Sequence, residues 1–191
     1  MTGKRSAWDY RVQRIVLFLL CLAAWLTPLH AAILERLSLD ELTQQSTAIV
    51  RVKVVGSYAE FHGSMIYTHW RVQVVERWKG PDRSTVEVLI PGGIARGLHQ
   101  DVAGAPKLLI GKEYLLFLWT SKSGSTYLTG LSQGLFELGK SATDEVVSRP
   151  ASGEPMLDHV TWKLVKDENF QMRYSEMTSR ISATLSHGGG H

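Results

Sequence analysis

Alternation of apolar and polar residues constrains this chain more than any other feature. Val50, Val52 and Val54 alternate with Arg51 and Lys53, and Trp70, Val72 and Val74 alternate with Arg71 and Gln73. Every second side chain of a strand shares one face, so these runs predict two strands with one dry side each. The first begins near Thr47 and the second covers residues 65–78, with residues 60–64 as the hairpin turn between them. Lys79-Gly80-Pro81-Asp82 is a strong turn. Val86, Val88 and Ile90 mark a third strand over residues 85–90, which Pro91-Gly92-Gly93 stops. A long irregular connection then runs to Ile110. Residues 113–119 are almost wholly apolar, as a strand covered on both faces would be. Residues 126–129, 135–138 and 145–148 predict shorter strands.

Two helices frame these strands. Ser38-Leu39-Asp40-Glu41 has the form of a capping box, in which Ser38 and Glu41 satisfy each other's backbone amides. It predicts a short helix over residues 39–45. Met177, Ile181 and Leu185 share a stripe that predicts a second helix over residues 174–185. The expected fold is mainly β: a small antiparallel, OB-like β-barrel with a short N-terminal helix and a C-terminal helix. Closing the sheet would hide its edges. Residues 32–150 form the expected barrel. Residues 151–186 supply a linker, clearest over 149–155, and the C-terminal helix that packs on the barrel; residues 187–191 form a disordered tail.

Residues 1–31 have the three parts of a secretory signal. Lys4, Arg5, Arg11 and Arg14 lead, an apolar run of about a dozen residues follows, and Ala31 and Ala32 provide a small-residue exit. The run is short of the roughly 20 residues that a spanning helix needs, so no membrane span is expected after signal removal; a retained anchor is the alternative. The chain of 191 residues has 21 Lys+Arg and 18 Asp+Glu, and the segment takes four of the first and one of the second, leaving 17 of each. The formal charge of +3 therefore belongs to the leader and is no argument for nucleic acid. The one cysteine, Cys21, also lies there. Without it, thiol catalysis and cysteine-ligated zinc are excluded, and the expected location is secreted or periplasmic.

Four phrases carry a resemblance: Ala48-Ile49-Val50-Arg51-Val52, the run from Val72 to Gly80, the run from Gly111 to Leu118, and Gly130-Leu131-Ser132-Gln133-Gly134-Leu135-Phe136. Together they resemble uncharacterised secreted bacterial proteins and, more distantly, the OB-type barrel of tissue inhibitors of metalloproteinases and netrin-like modules. The resemblance covers residues 47–138 and implies the barrel. In that family an N-terminal cysteine meets the protease zinc, and disulfides shape the edge. This chain has no cysteine after Cys21, so that contact does not carry over.

Several candidate sites follow from the residues. Gly130-Leu131-Ser132-Gln133-Gly134 matches the G-x-S-x-G nucleophile pattern, with Asp158 and His159 later in the order a hydrolase uses. The pattern requires a helix after the serine, whereas a strand is expected there. His187 and His191 have metal-like spacing and His62 and His69 flank one hairpin, yet no local carboxylate cluster completes a shell, so no metal is expected. Arg51, Lys53 and Arg71 read as a solvated sheet face, and Trp70 as core. Gly92, Gly93, Arg96 and Gly97 remain as the expected binding loop, because glycines allow close approach and Arg96 can pair with a carboxylate.

These readings point to an exported, non-enzymatic binding module with no cofactor. Its expected partner is another exported protein or an envelope component, in an inhibitor-like manner if that protein is a protease. Two alternatives stand beside it: a small serine hydrolase using Ser132 and His159, and a carbohydrate-binding barrel using an exposed tryptophan.

Overall fold

A computed structural model describes residues 34–141 and 144–188. The expected signal segment, residues 1–31, and residues 189–191 of the expected tail, His191 included, lie outside the described residues. The chain enters through β1 (Leu34–Glu35) and then α1 (Leu39–Gln45). The capping box that defines α1 is formed: the Glu41 amide donates to Ser38 Oγ at 3.2 Å and the Ser38 amide to Glu41 Oε2 at 2.8 Å. At the other end, Lys79 Nζ donates to the carbonyls of Thr43 and Gln44, which have no partner within the helix.

Two strands of unusual length follow, β2 (Ala48–His62) and β3 (Met65–Lys79), joined at Gly63-Ser64. Then come β4 (Thr85–Pro91), β5 (Gly93–Ala95), β6 (Leu98–Gln100), β7 (Glu113–Thr120) and β8 (Thr126–Leu128). The principal sheet pairs β7 with β2, β2 with β3, β3 with β4, β4 with β8, and β8 again with β7. The sheet is thus partly closed into a ring. All contacts in the ring are antiparallel except that of β4 with β8, where Leu89 faces Tyr127 in parallel. Register shifts in β2, the last between Val54 and Gly56, bend that strand along the curve.

Beyond β7 the same sheet continues through β9 (Leu135–Lys140), β10 (Glu145–Arg149) and β13 (Phe170–Arg173). β11 (Pro155–Asp158) and β12 (Lys163–Lys166) join β1 in a small separate sheet. The chain ends in α2 (Tyr174–Gly188).

Apolar periodicity divides the core in two. Val50, Val52, Val72, Val88, Leu116 and Leu118 fill the ring. Ile49, Leu115, Phe117 and Phe136 face the other way, against Leu42 of α1 and Met177 and Ile181 of α2. Strand β7 lies between both layers, which is why residues 113–119 are apolar without alternation. The mainly β class and both helices agree with expectation.

Four local readings need correction. The long connection after β4 contains the β5–β6 hairpin. The expected linker is anchored: Arg149 Nη2 pairs with Asp167 Oδ1 at 3.0 Å, with both side chains largely covered, and the guanidinium lies over Phe136. Residues beyond it form β11, β12 and β13. His187 and Gly188 complete α2 in place of beginning a tail.

Candidate functional site

The outward face of the ring carries a row of rings. Alternation along β2 turns Tyr58, Glu60 and His62 to one side, and the register with β3 sets Tyr58 opposite His69 and Glu60 opposite Tyr67. Strand β4 contributes Glu87 and Leu89 to the same face, while β7 and β8 contribute Trp119 and Tyr127. Neighbouring rings touch in sequence. Trp119 meets Tyr127 at 6.0 Å between centroids, Tyr127 meets Tyr67 at 6.2 Å, and Tyr67 meets His62 at 5.3 Å. His62 meets His69 at 5.1 Å, and Tyr58 stacks on His69 at 4.6 Å. Tyr58 and Trp119 are about half exposed, at 45% and 46%.

Carboxylates sit among these rings. Glu87 Oε1 accepts from His69 Nδ1 at 2.8 Å, and the Tyr58 hydroxyl donates to the same carboxylate. Desolvation and the negative charge of Glu87 push the Tyr58 phenol above its ordinary pKa. On the far side of His69, its Nε2 lies 3.1 Å from His62 Nε2 and 3.3 Å from Glu60 Oε1. His62 Nε2 and Glu60 Oε1 are 3.2 Å apart. Glu60, His62 and His69 thus gather three metal-ligating atoms at one point. The sequence reading saw both histidines and missed the carboxylates. Glu60 lies two residues before His62 on the same strand face, and Glu87 arrives only through the pairing of β3 with β4.

The four residues of the expected binding loop separate. Gly92 and Gly93 line a cleft of about 310 Å³ together with Trp70, Gln100, Pro106 and Leu108. A Cβ at Gly93, where φ is +135°, would run into Thr68 Oγ1, so glycine here lets the chain lie flat on the β2–β3 hairpin. Arg96 and Gly97 form the tight turn of the β5–β6 hairpin, with φ of 51° and 76°. The Arg96 guanidinium stacks 5.7 Å over the Phe61 ring, and neither turn residue lines the cleft.

The hydrolase constellation is not assembled. Ser132 lies in a 3₁₀ turn, Leu131–Gly134, that leads into β9, and its Oγ is buried without a hydrogen-bond partner. His159 pairs with Glu35 and Glu41. Asp158 accepts from the amides of Val160 and Thr161; these bonds, Thr161 foremost, hold its carboxyl below the ordinary range. The motif's glycines serve packing: a Cβ on Gly134 would strike the Thr129 and Phe117 carbonyls. Gln133, between them, accepts from the Leu37 amide and donates to the Glu35 carbonyl, both at 2.8 Å.

Lys53 and Arg71 are exposed, whereas Arg51, His187 and Trp70 find structural partners. Arg51 meets Glu113 and Glu145 at 2.7 and 2.9 Å and lies over the Tyr174 ring, so it ties β2 to α2 and is no solvated cation. His187 Nδ1 donates to the Ala183 carbonyl within α2. Trp70 packs against the ring core. Among the described residues no helix is long and apolar enough to cross a membrane.

No family model matches the chain, and no curated protein or solved structure shows a significant match to it.

Proposed function

We propose that this protein is an exported, non-enzymatic binding module of the OB type, and that its ligand is a glycan of the cell envelope. The reading starts from connectivity. A ring in the order β7-β2-β3-β4-β8, closed by antiparallel pairs and one parallel contact, follows the plan of a five-stranded Greek-key barrel. OB barrels take ligands across their second and third strands, beside the loops joining strands one to two and four to five. Those places correspond here to β3, β4, the turn at Gly63-Ser64 and the turn between β7 and β8. The resemblance to netrin-like modules fits the same plan.

The observation that carries the ligand class is the unbroken contact from Trp119 through Tyr127 and Tyr67 to His62, with Glu60 and Glu87 beside it. Sugar rings offer C–H faces that stack on aromatics and hydroxyls that donate to carboxylates. Nucleic acid would need a cationic surface, whereas the chain after residue 31 is balanced and this face holds carboxylates. The test is sedimentation of the purified protein with insoluble peptidoglycan. Trp119→Ala and Tyr67→Ala are each expected to weaken retention about tenfold, the equivalent of ~1.4 kcal/mol. Equal retention of both variants and the parent would overturn the assignment.

A protein partner is the second reading, and the β5–β6 hairpin favours it. Ile94 and Leu98 are 68% and 61% exposed beside Arg96. Titration against secreted zinc proteases tests the inhibitor-like version. Undiminished proteolysis at micromolar module, or inhibition insensitive to Ile94→Ser, would remove it.

A further inference from the structure

We infer that Glu60, His62 and His69 form a binding site for a divalent transition-metal ion of the zinc class. The site shares Glu60 and His62 with the proposed glycan face, but its geometry and its metal-binding test do not depend on a glycan being bound. Its basis is a triangle of ligand atoms, His62 Nε2, His69 Nε2 and Glu60 Oε1, with edges of 3.1, 3.2 and 3.3 Å. Bonds of roughly 2.0–2.1 Å from a tetrahedral ion to imidazole and carboxylate place neighbouring ligand atoms about 3.3 Å apart. The triangle therefore has the dimensions of one face of such a tetrahedron. Two imidazoles and one carboxylate suit zinc and its neighbours better than calcium or magnesium, which prefer oxygen alone.

The hydrogen-bond logic points the same way. Glu87 accepts from His69 Nδ1, so in the neutral ring the proton sits on Nδ1 and Nε2 carries a lone pair. That lone pair faces Glu60 Oε1, itself an acceptor, at 3.3 Å. Two acceptors at this distance repel each other, and either a proton or a metal ion held between them relieves the repulsion. Glu87 then fills the role that carboxylates take behind metal-bound histidines, fixing the tautomer and raising the basicity of the ring. Tyr58, stacked on His69, closes one side. The side chains of Glu60 and His62 are 54% and 38% exposed, leaving the ion's fourth position open to water or to a ligand oxygen.

Isothermal titration of the full chain, made without a polyhistidine tag and stripped by chelator, tests the site with zinc. Cobalt(II) serves as a spectroscopic substitute. One equivalent of zinc is expected to bind, and cobalt to give the intense visible absorption of a tetrahedral centre. His62→Ala and Glu60→Gln change exposed side chains and should fold; each is expected to lower affinity at least about tenfold, and Glu87→Gln by about 10–100-fold. Absence of saturable binding would overturn the proposal. So would unchanged affinity in His62→Ala, or a loss of affinity in His187→Ala of the size expected for His62→Ala.

Discussion

Tyr58 stacks on His69 with ring centroids 4.6 Å apart and planes inclined by 16°. The two residues face each other across β2 and β3, and the phenol covers an imidazole that is only 4% exposed. An aromatic pair of this kind contributes about 0.5–1.5 kcal/mol beyond the area it buries. Tyr58→Leu is therefore expected to lower stability by about 1 kcal/mol and Tyr58→Phe by less, since only the bond to Glu87 is lost. Urea unfolding midpoints check the order, and a larger loss in Tyr58→Phe would contradict it.

Arg149 and Asp167 hold the segment that sequence reads as a linker. Side-chain exposures of 12% and 3% make this a largely buried pair, and Asp167 also accepts from the Ser152 amide. Asp167→Ala leaves a buried guanidinium uncompensated and is expected to cost about 3–5 kcal/mol. Desolvation already pulls the Arg149 pKa down. Urea unfolding again reads the effect; a loss near zero would mean that water reaches the pair.

The first helix depends on its cap. Removing the Ser38 hydroxyl in Ser38→Ala is expected to cost about 1 kcal/mol. Hydrogen bonds from the Ser38 side chain and amide hold the Glu41 carboxyl below its ordinary value of 4.5. A depressed folded-state pKa adds stability that is present above the unfolded value and lost as pH falls through the folded one. The difference between the parent and Glu41→Gln should thus be full at neutral pH and shrink below about pH 4.5. A gap that widens with acid would contradict the sign.

Ser132→Ala removes a buried hydroxyl that has no partner. It is expected to be neutral or to stabilise by up to about 1 kcal/mol, with thermal unfolding as the check. A serine-directed activity probe is expected to leave the parent unlabelled. Labelling that disappears in Ser132→Ala would restore the hydrolase reading.

Much of the fold was legible because it follows from periodicity. Alternation at Val50–Val54 and Val72–Val74 gave two strands, the unbroken apolar run gave β7, and Ser38 with Glu41 gave α1. Other elements carry no such signal. Strands β5 and β6 are three residues each and expose Ile94 and Leu98, so no dry face marks them. Lys163 to Lys166 forms β12 with only one partly covered residue, Val165. The candidate site was hidden for another reason. Trp119 and Tyr127, or His69 and Glu87, become neighbours through strand pairing, and register cannot be read from either strand alone. His62 and His69 were visible as a pair; the carboxylates that give them a chemistry were not.

The most direct test of the glycan-binding face is a nitrogen–proton correlation spectrum of the labelled protein, recorded with and without soluble peptidoglycan fragments. Displacement of the Trp119 indole signal and of the Tyr67 and Tyr127 amides, with the Ile94 and Leu98 amides unmoved, is the expected result. Unmoved Trp119, Tyr67 and Tyr127 signals at saturating fragment would contradict the account, whether or not the hairpin responds.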